Sequence, residues 1–129
     1  MSIQDLILPW PSADLSPNAR GHWARRMRAT KQARTLAFVM ARKSGWTPAM
    51  AAAWPPEAAI TLYVDAFPPD RRRRDDDNMT ARFKACRDGI ADALGINDSR
   101  LRESLFIHDN PKPGGQLRVR LGVPGRGDA

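Results

Sequence analysis

From Ala58 to Ala66 apolar and polar residues take turns, with Ile60, Leu62, Val64 and Ala66 on one side and Thr61, Tyr63 and Asp65 on the other. A period of two marks a strand with one buried face, and Phe67-Pro68-Pro69 ends it. Beyond a charged loop the period changes: Met79, Phe83, Cys86, Ile90 and Leu94 fall at steps of four, three, four and four. These steps keep one side of a helix apolar, so a helix is predicted from about Asn78 to Leu94, stopped by Gly95. A longer helix is predicted from about Ala19 to Lys43. Ala29, Ala33, Leu36, Ala37 and Met40 lie along one side of it, Arg28, Lys31, Arg34 and Arg42 along the other, and Ser44-Gly45 closes it. Shorter strands are predicted at Ile3 to Leu8, Ser104 to His108 and Gln116 to Val123, and in the last of these Leu117, Val119 and Leu121 alternate with Arg118 and Arg120. Residues 12–18 read as a loop, the connector up to Pro55-Pro56 carries too little pattern to assign, and 125–129 read as a frayed tail. The resulting order, β-α-β-α-β-β, is that of a single α+β domain over residues 1–129 with helices packed on a small mixed sheet.

At 129 residues and 14.4 kDa the chain has room for one modest core and not for two large domains. The charge balance narrows the partner. Lys and Arg number 21 against 14 Asp and Glu, for a net charge of +7 and a pI near 10.7, which suits a polyanion such as nucleic acid. Only four of the bases are Lys; Arg is the side chain whose planar fork matches phosphate, although a GC-rich genome gives the same bias without a function behind it. One cysteine, Cys86, and two histidines, His22 and His108, exclude an internal disulfide and an ordinary structural zinc site. The longest apolar runs, such as Leu36 to Ala41, are far shorter than a membrane span, and the N-terminus does not read as a signal peptide, so the expected location is the cytoplasm. A phosphate-binding loop of the G-x-x-x-x-G-K type and a G-x-S-x-G elbow are both missing, which argues against ATP-driven work, a nucleotide cofactor and serine hydrolysis.

The chemistry concentrates in Asp70-Arg71-Arg72-Arg73-Arg74-Asp75-Asp76-Asp77-Asn78, where a strand gives way to a helix. If the segment leading into the helix is extended, Asp75 and Asp77 project to one side and Asp76 to the other. Two unit charges about 5 Å apart repel by about 3 kcal/mol at an effective dielectric of 20, so something positive belongs between them: a divalent cation or the neighbouring arginines. Short Asp side chains offer the hard oxygens that Mg²⁺ takes. The same acids at a helix start also serve simply as caps and as partners of the helix dipole. Asp77, Ala81, Lys84 and Asp88 form a polar stripe opposite the apolar one, so Lys84 shares the side of Asp77, and Asp98 follows in the loop after the helix. Arg71, Arg72, Arg73 and Arg74 read either as backbone-phosphate contacts or as a solvated loop balanced by its own acids. The four tryptophans and both histidines read as structural before they read as functional.

The run Asp70 to Asn78, with Leu8-Pro9-Trp10-Pro11-Ser12 before it and Lys84, Asp88-Gly89 and Asn97-Asp98-Ser99 after it, resembles the RusA-type crossover (Holliday) junction endodeoxyribonucleases of bacteria and their prophages. The resemblance spans most of the chain. It implies a homodimer that requires Mg²⁺, with Mn²⁺ as a substitute, binds four-way DNA junctions and nicks two strands symmetrically in recombination and repair. Carried over by position, Asp75, Asp77 and Asp98 hold the metal, Lys84 steadies transition-state charge, and Arg71 to Arg74 bind DNA. Two positions depart from the family pattern. Ala81 stands where the essential lysine is found, with Lys84 one helical turn on, and Asn97 stands where an acid is common. Two other readings remain open: a basic DNA-binding module whose acids are structural, and a Mg²⁺-dependent nuclease acting on other branched or single-stranded nucleic acid.

Overall fold

The computed structural model describes residues 3–17, 21 and 23–122. The expected helix start at Ala19, His22, the strand end at Val123 and the tail over 125–129 lie outside them. Seven elements follow in chain order: β1 (Leu6–Pro9), α1 (Trp23–Lys43), α2 (Pro48–Ala51), β2 (Ile60–Phe67), α3 (Asp76–Leu94), β3 (Leu101–Ile107) and β4 (Gln116–Leu121). Single 3-10 turns at Ala13–Leu15 and Asp98–Arg100 join them. This is a small α+β domain with a four-stranded mixed sheet and three helices, and the four-residue α2 occupies the connector that shows no pattern in sequence. None of the described helices is long and apolar enough to cross a membrane.

The strands lie in the order β1-β4-β2-β3, with β2 and β3 parallel and β4 antiparallel to both β1 and β2. Parallel neighbours need a long crossover, and α3 supplies it. One consequence positions everything that follows: the segments leaving β2 and β3 emerge at the same end of the sheet, beside the start of α3. In open sheets with helical crossovers, that crevice outside the carboxyl ends of parallel strands is where ligands usually bind.

The core lies between one sheet face and the helices. Leu6, Leu8, Ile60, Leu62, Val64, Ala66, Leu117, Val119 and Leu121 are buried on the sheet side, and the α3 stripe Met79, Phe83, Cys86, Ile90 and Leu94 is buried against them. Trp46 and Trp54 are buried too, Trp46 donating its indole N–H to the Gln4 carbonyl at 2.8 Å. Trp23, by contrast, is exposed. Gly95 ends α3 with φ +65°, a left-handed conformation that glycine adopts without strain.

Several boundaries differ from the sequence expectation, β1 running Leu6–Pro9 rather than Ile3 to Leu8, β2 Ile60–Phe67 rather than Ala58 to Ala66 and β3 ending at Ile107 rather than His108, and two differences have a clear physical cause. α3 begins at Asp76 rather than Asn78, because the Asp75 side chain caps it. β3 begins at Leu101 rather than Ser104, because an acid, Glu103, occupies an inward position between Leu101 and Leu105 and interrupts the apolar alternation.

The two long helices meet where side chains are smallest. A Cβ on Gly89 of α3 would stand 2.2 Å from the Arg34 carbonyl oxygen of α1 and 3.0 Å from the Ala37 methyl. Backbone cannot yield as a flexible side chain does, so overpacking outweighs the gain in helix propensity. Gly89→Ala is expected to lower the unfolding free energy by about 1–3 kcal/mol. Urea denaturation reads this directly, and a neutral or stabilising result would mean that the helices part freely at this point.

Candidate functional site

Asp70 organises the arginine loop. Its carboxylate accepts from the Arg72 backbone N–H at 2.8 Å and pairs with Arg74 at 2.9 Å and Arg72 at 3.3 Å. The Arg74 hydrogen bond, followed by that of the Arg72 amide, holds the Asp70 carboxyl below its usual range. These contacts sort the four arginines. Arg74 turns inward: its side chain is 14% exposed, it donates to the carbonyls of Asp70 and Arg72 at 3.2 and 2.7 Å, and its guanidinium lies 5.3 Å from the centre of the Trp10 ring. Arg82 of α3 approaches the same ring at 5.8 Å and donates to the Pro11 carbonyl. Burial, with Arg74 beside it, pushes the Arg82 guanidinium below its ordinary pKa. Trp10 and Pro11 of the Leu-Pro-Trp-Pro stretch are therefore the floor on which the loop rests. Arg71, Arg72 and Arg73 face outward, Arg72 with 83% of its side chain exposed.

Asp75 is the N-cap of α3, its Oδ1 accepting from the Asp77 backbone N–H at 2.8 Å. The extended geometry expected for Asp75 to Asp77 does not occur, since Asp76 is already helical. The Asp75 side chain instead turns back to cap the helix on the Asp77 backbone N–H. All three acids are exposed, and Asn78 anchors the turn by donating to Ser16 Oγ at 2.8 Å.

The remaining expected residues sit further along α3. Lys84 is exposed and pairs with Asp88 at 3.5 Å. Asp98 lies beside Arg87 at 3.9 Å, and the same Arg87 pairs with Glu103 of β3 at 3.1 Å. Arg87 follows Asp77 by ten residues, about 15 Å of helix rise. Asp75 and Asp77 offer the hard oxygens that magnesium takes, and Asp98 stands beside Arg87. Among the described residues no three His, Cys, Asp or Glu side chains are grouped so as to hold a metal.

Glu103 was not legible as a site residue. Its side chain is 8% exposed, its Oε2 has no hydrogen-bond partner, and the same holds for Arg87 Nε and Asp88 Oδ1. Burial pushes the Glu103 carboxyl above its ordinary pKa, with Arg87 opposing the shift. The one available signal was a carboxylate at an inward position of a strand.

An open basin of about 510 Å³ lies at the shared end of β2 and β3, walled by Asp70, Arg71 to Arg74 and Asp76 on one side and by Ile107, His108 and Asp109 on the other. Parallel pairing brings these segments together: the register Ala66↔Ile107 sets Phe67 beside His108, whose backbone N–H donates to the Ala66 carbonyl at 2.8 Å. The imidazole stacks on Phe67 with centroids 4.4 Å apart, and its Nε2–H donates to Asp65 Oδ1 at 2.9 Å. Asp65 in turn lies 3.7 Å from Arg120.

No family model matches the chain. A protein of Xylella fastidiosa (strain Temecula1 / ATCC 700964), described as uncharacterized, is 51% identical to it over 119 residues, which cover 92% of this chain and 76% of that protein.

Proposed function

We propose, for a chain that belongs to one family with that uncharacterized Xylella fastidiosa protein, the activity of a metal-dependent endodeoxyribonuclease that nicks four-way DNA junctions. The observation that carries this reading is the juxtaposition of three outward arginines with the exposed Asp75–Asp77 pair at the head of α3. Carboxylates beside a DNA-facing cation array weaken binding by repelling phosphate, so their presence there is explained by a reaction that uses them. Mg²⁺, or Mn²⁺ in its place, is the cofactor of this reading, and Asp75 and Asp77 are its proposed holders. Lys84, on the exposed face of the same helix, is the proposed cation for transition-state charge. Asp98 belongs to the reading by resemblance alone. Symmetric nicking of a pseudo-symmetric junction calls for two copies related by a two-fold axis, which makes the homodimer part of the proposal. A role in recombination and repair within the cytoplasm follows from that substrate.

A second reading has its own observation. Asp75 caps a helix, and no metal-holding trio is grouped among the described residues, both of which suit a basic DNA-binding module with structural acids. Nicking rates on four-way, flap and linear DNA of the same length, measured with Mg²⁺, separate the possibilities. Preferential cutting of the four-way junction is expected. Equal rates on all three would reject junction selectivity in favour of a broader nuclease, and tight binding without any cutting would favour the binding module.

A further inference from the structure

The wall of the basin formed by β3 carries a feature that the nuclease reading does not use. Lys112 lies 4.3 Å above the Phe67 ring, Phe67 stacks on His108, and His108 meets the edge of Phe106 at 4.7 Å and 69°. This column sets one cation on a run of three rings, and it ends on Phe106, which is 62% exposed on the sheet face that no described helix covers. Strand register explains the placement: Ile7, Arg118, Asp65 and Phe106 form one row across all four strands, and Phe106 and His108, two residues apart, share a side. A large aromatic left exposed beside an arginine-lined basin is unusual, because burying it against the domain's own core would be favourable.

We infer that this corner is a nucleotide seat for unpaired DNA: a backbone phosphate lies in the basin against Arg71 to Arg73, and the base attached to it stacks on Phe106, which His108 supports. Each part follows from contacts already described. Asp65 fixes the imidazole through Nε2, which holds the ring in place against the edge of Phe106. Phe67 below and Lys112 beyond it stop the ring from tilting away. The acids that also face the basin are Asp70, Asp76 and Asp109, and Asp70 is neutralised by Arg72 and Arg74. The cations facing it, Arg71 to Arg74 with Lys112 at its edge, leave the corner attractive to phosphate. A flat ring accepts any base, so the seat selects for unpaired bases rather than for sequence. Unpaired bases are what the centre of an opened junction offers, so the inference deepens the DNA reading while standing apart from cleavage.

The test measures binding of fluorescent oligonucleotides in EDTA, so that a failure of nicking leaves it interpretable. The probes are a single strand, the same strand with abasic sites, and the corresponding duplex. Wild type is expected to hold the ordinary strand about tenfold more tightly than the abasic one. Phe106→Ala removes that advantage without changing duplex affinity, and Phe106→Trp restores it. His108→Ala removes the ring that supports Phe106 and lowers the preference for the ordinary strand over the abasic one, with duplex affinity unchanged. Free inorganic phosphate competes only weakly, which separates a strand site from a phosphate site. Phe106→Ala binding the single strand as wild type does, losing single strand and duplex equally, or turning a dimer into a monomer on sedimentation would each overturn the inference, the last by identifying Phe106 as a contact between copies. Because Phe106 is exposed, the variants should melt with wild type, and a lowered melting temperature would itself count against a surface role.

Discussion

Replacing Arg71, Arg72 and Arg73 together by alanine will flatten the dependence of DNA affinity on salt, while Arg74→Ala will not. Each phosphate neutralised contributes about 0.9 to the slope of log affinity against log salt, so the triple variant should lose about 2.7. Between 50 and 200 mM salt that difference amounts to about a 40-fold change in the ratio of the two affinities. Arg74 belongs to the fold instead. Its guanidinium is held by Asp70, two carbonyls and the Trp10 ring. Arg74→Ala therefore lowers the melting temperature and leaves the slope within error. Fluorescence anisotropy titrations on a four-way junction at several salt concentrations make the comparison. An equal loss of slope from all four single alanine variants would contradict the division of the loop into three outward arginines and one inward.

The second large effect is on stability. Arg87→Met removes the cation that Glu103 and Asp98 share and leaves Glu103 buried with only Lys84 to oppose its charge. Breaking a buried pair in this way costs about 3–5 kcal/mol, a large share of what holds a domain of this size folded. Adding Glu103→Gln to Arg87→Met should recover most of the loss, because the uncompensated charge goes with it. Urea denaturation of the two variants and of the pair decides this, and strict additivity would deny the coupling.

A pH dependence follows from the same carboxyl. Glu103 has a raised pKa in the folded protein, so between the ordinary glutamate value and the raised one the folded state binds a proton that the unfolded state has released. Stability therefore falls as pH rises through that window. Glu103→Gln abolishes this part of the pH profile, and an unchanged profile in that variant would mean that the carboxyl is well solvated.

What was legible in the sequence was whatever depends on local period. The β2 alternation and the five-residue apolar stripe of α3 are both buried as their spacing requires, and Gly95 ends the helix it was expected to end. The start of β3 was hidden because the inward position between Leu101 and Leu105 carries Glu103, whose partner Arg87 lies sixteen residues earlier in the chain. The surroundings of His108 come from parallel pairing with a strand 43 residues away, which no local pattern reports. Trp10 carries two arginines that come from two other segments, a grouping that no local pattern reports. The aspartates show the opposite difficulty. Their residue type and order were plain, yet their geometry depends on where α3 begins, and a two-residue shift of that boundary turned an extended pair into a capped turn.

Nicking of a synthetic four-way junction in Mg²⁺ by the wild-type protein and by the Asp75→Asn/Asp77→Asn double variant tests the proposed activity most directly. The expected result is paired cuts by wild type and, from the variant, junction binding as tight or tighter with no cuts. Cutting by the variant at the wild-type rate would contradict the assignment of the α3 carboxylates to catalysis, and a wild-type protein that leaves the junction intact would contradict the nuclease reading itself.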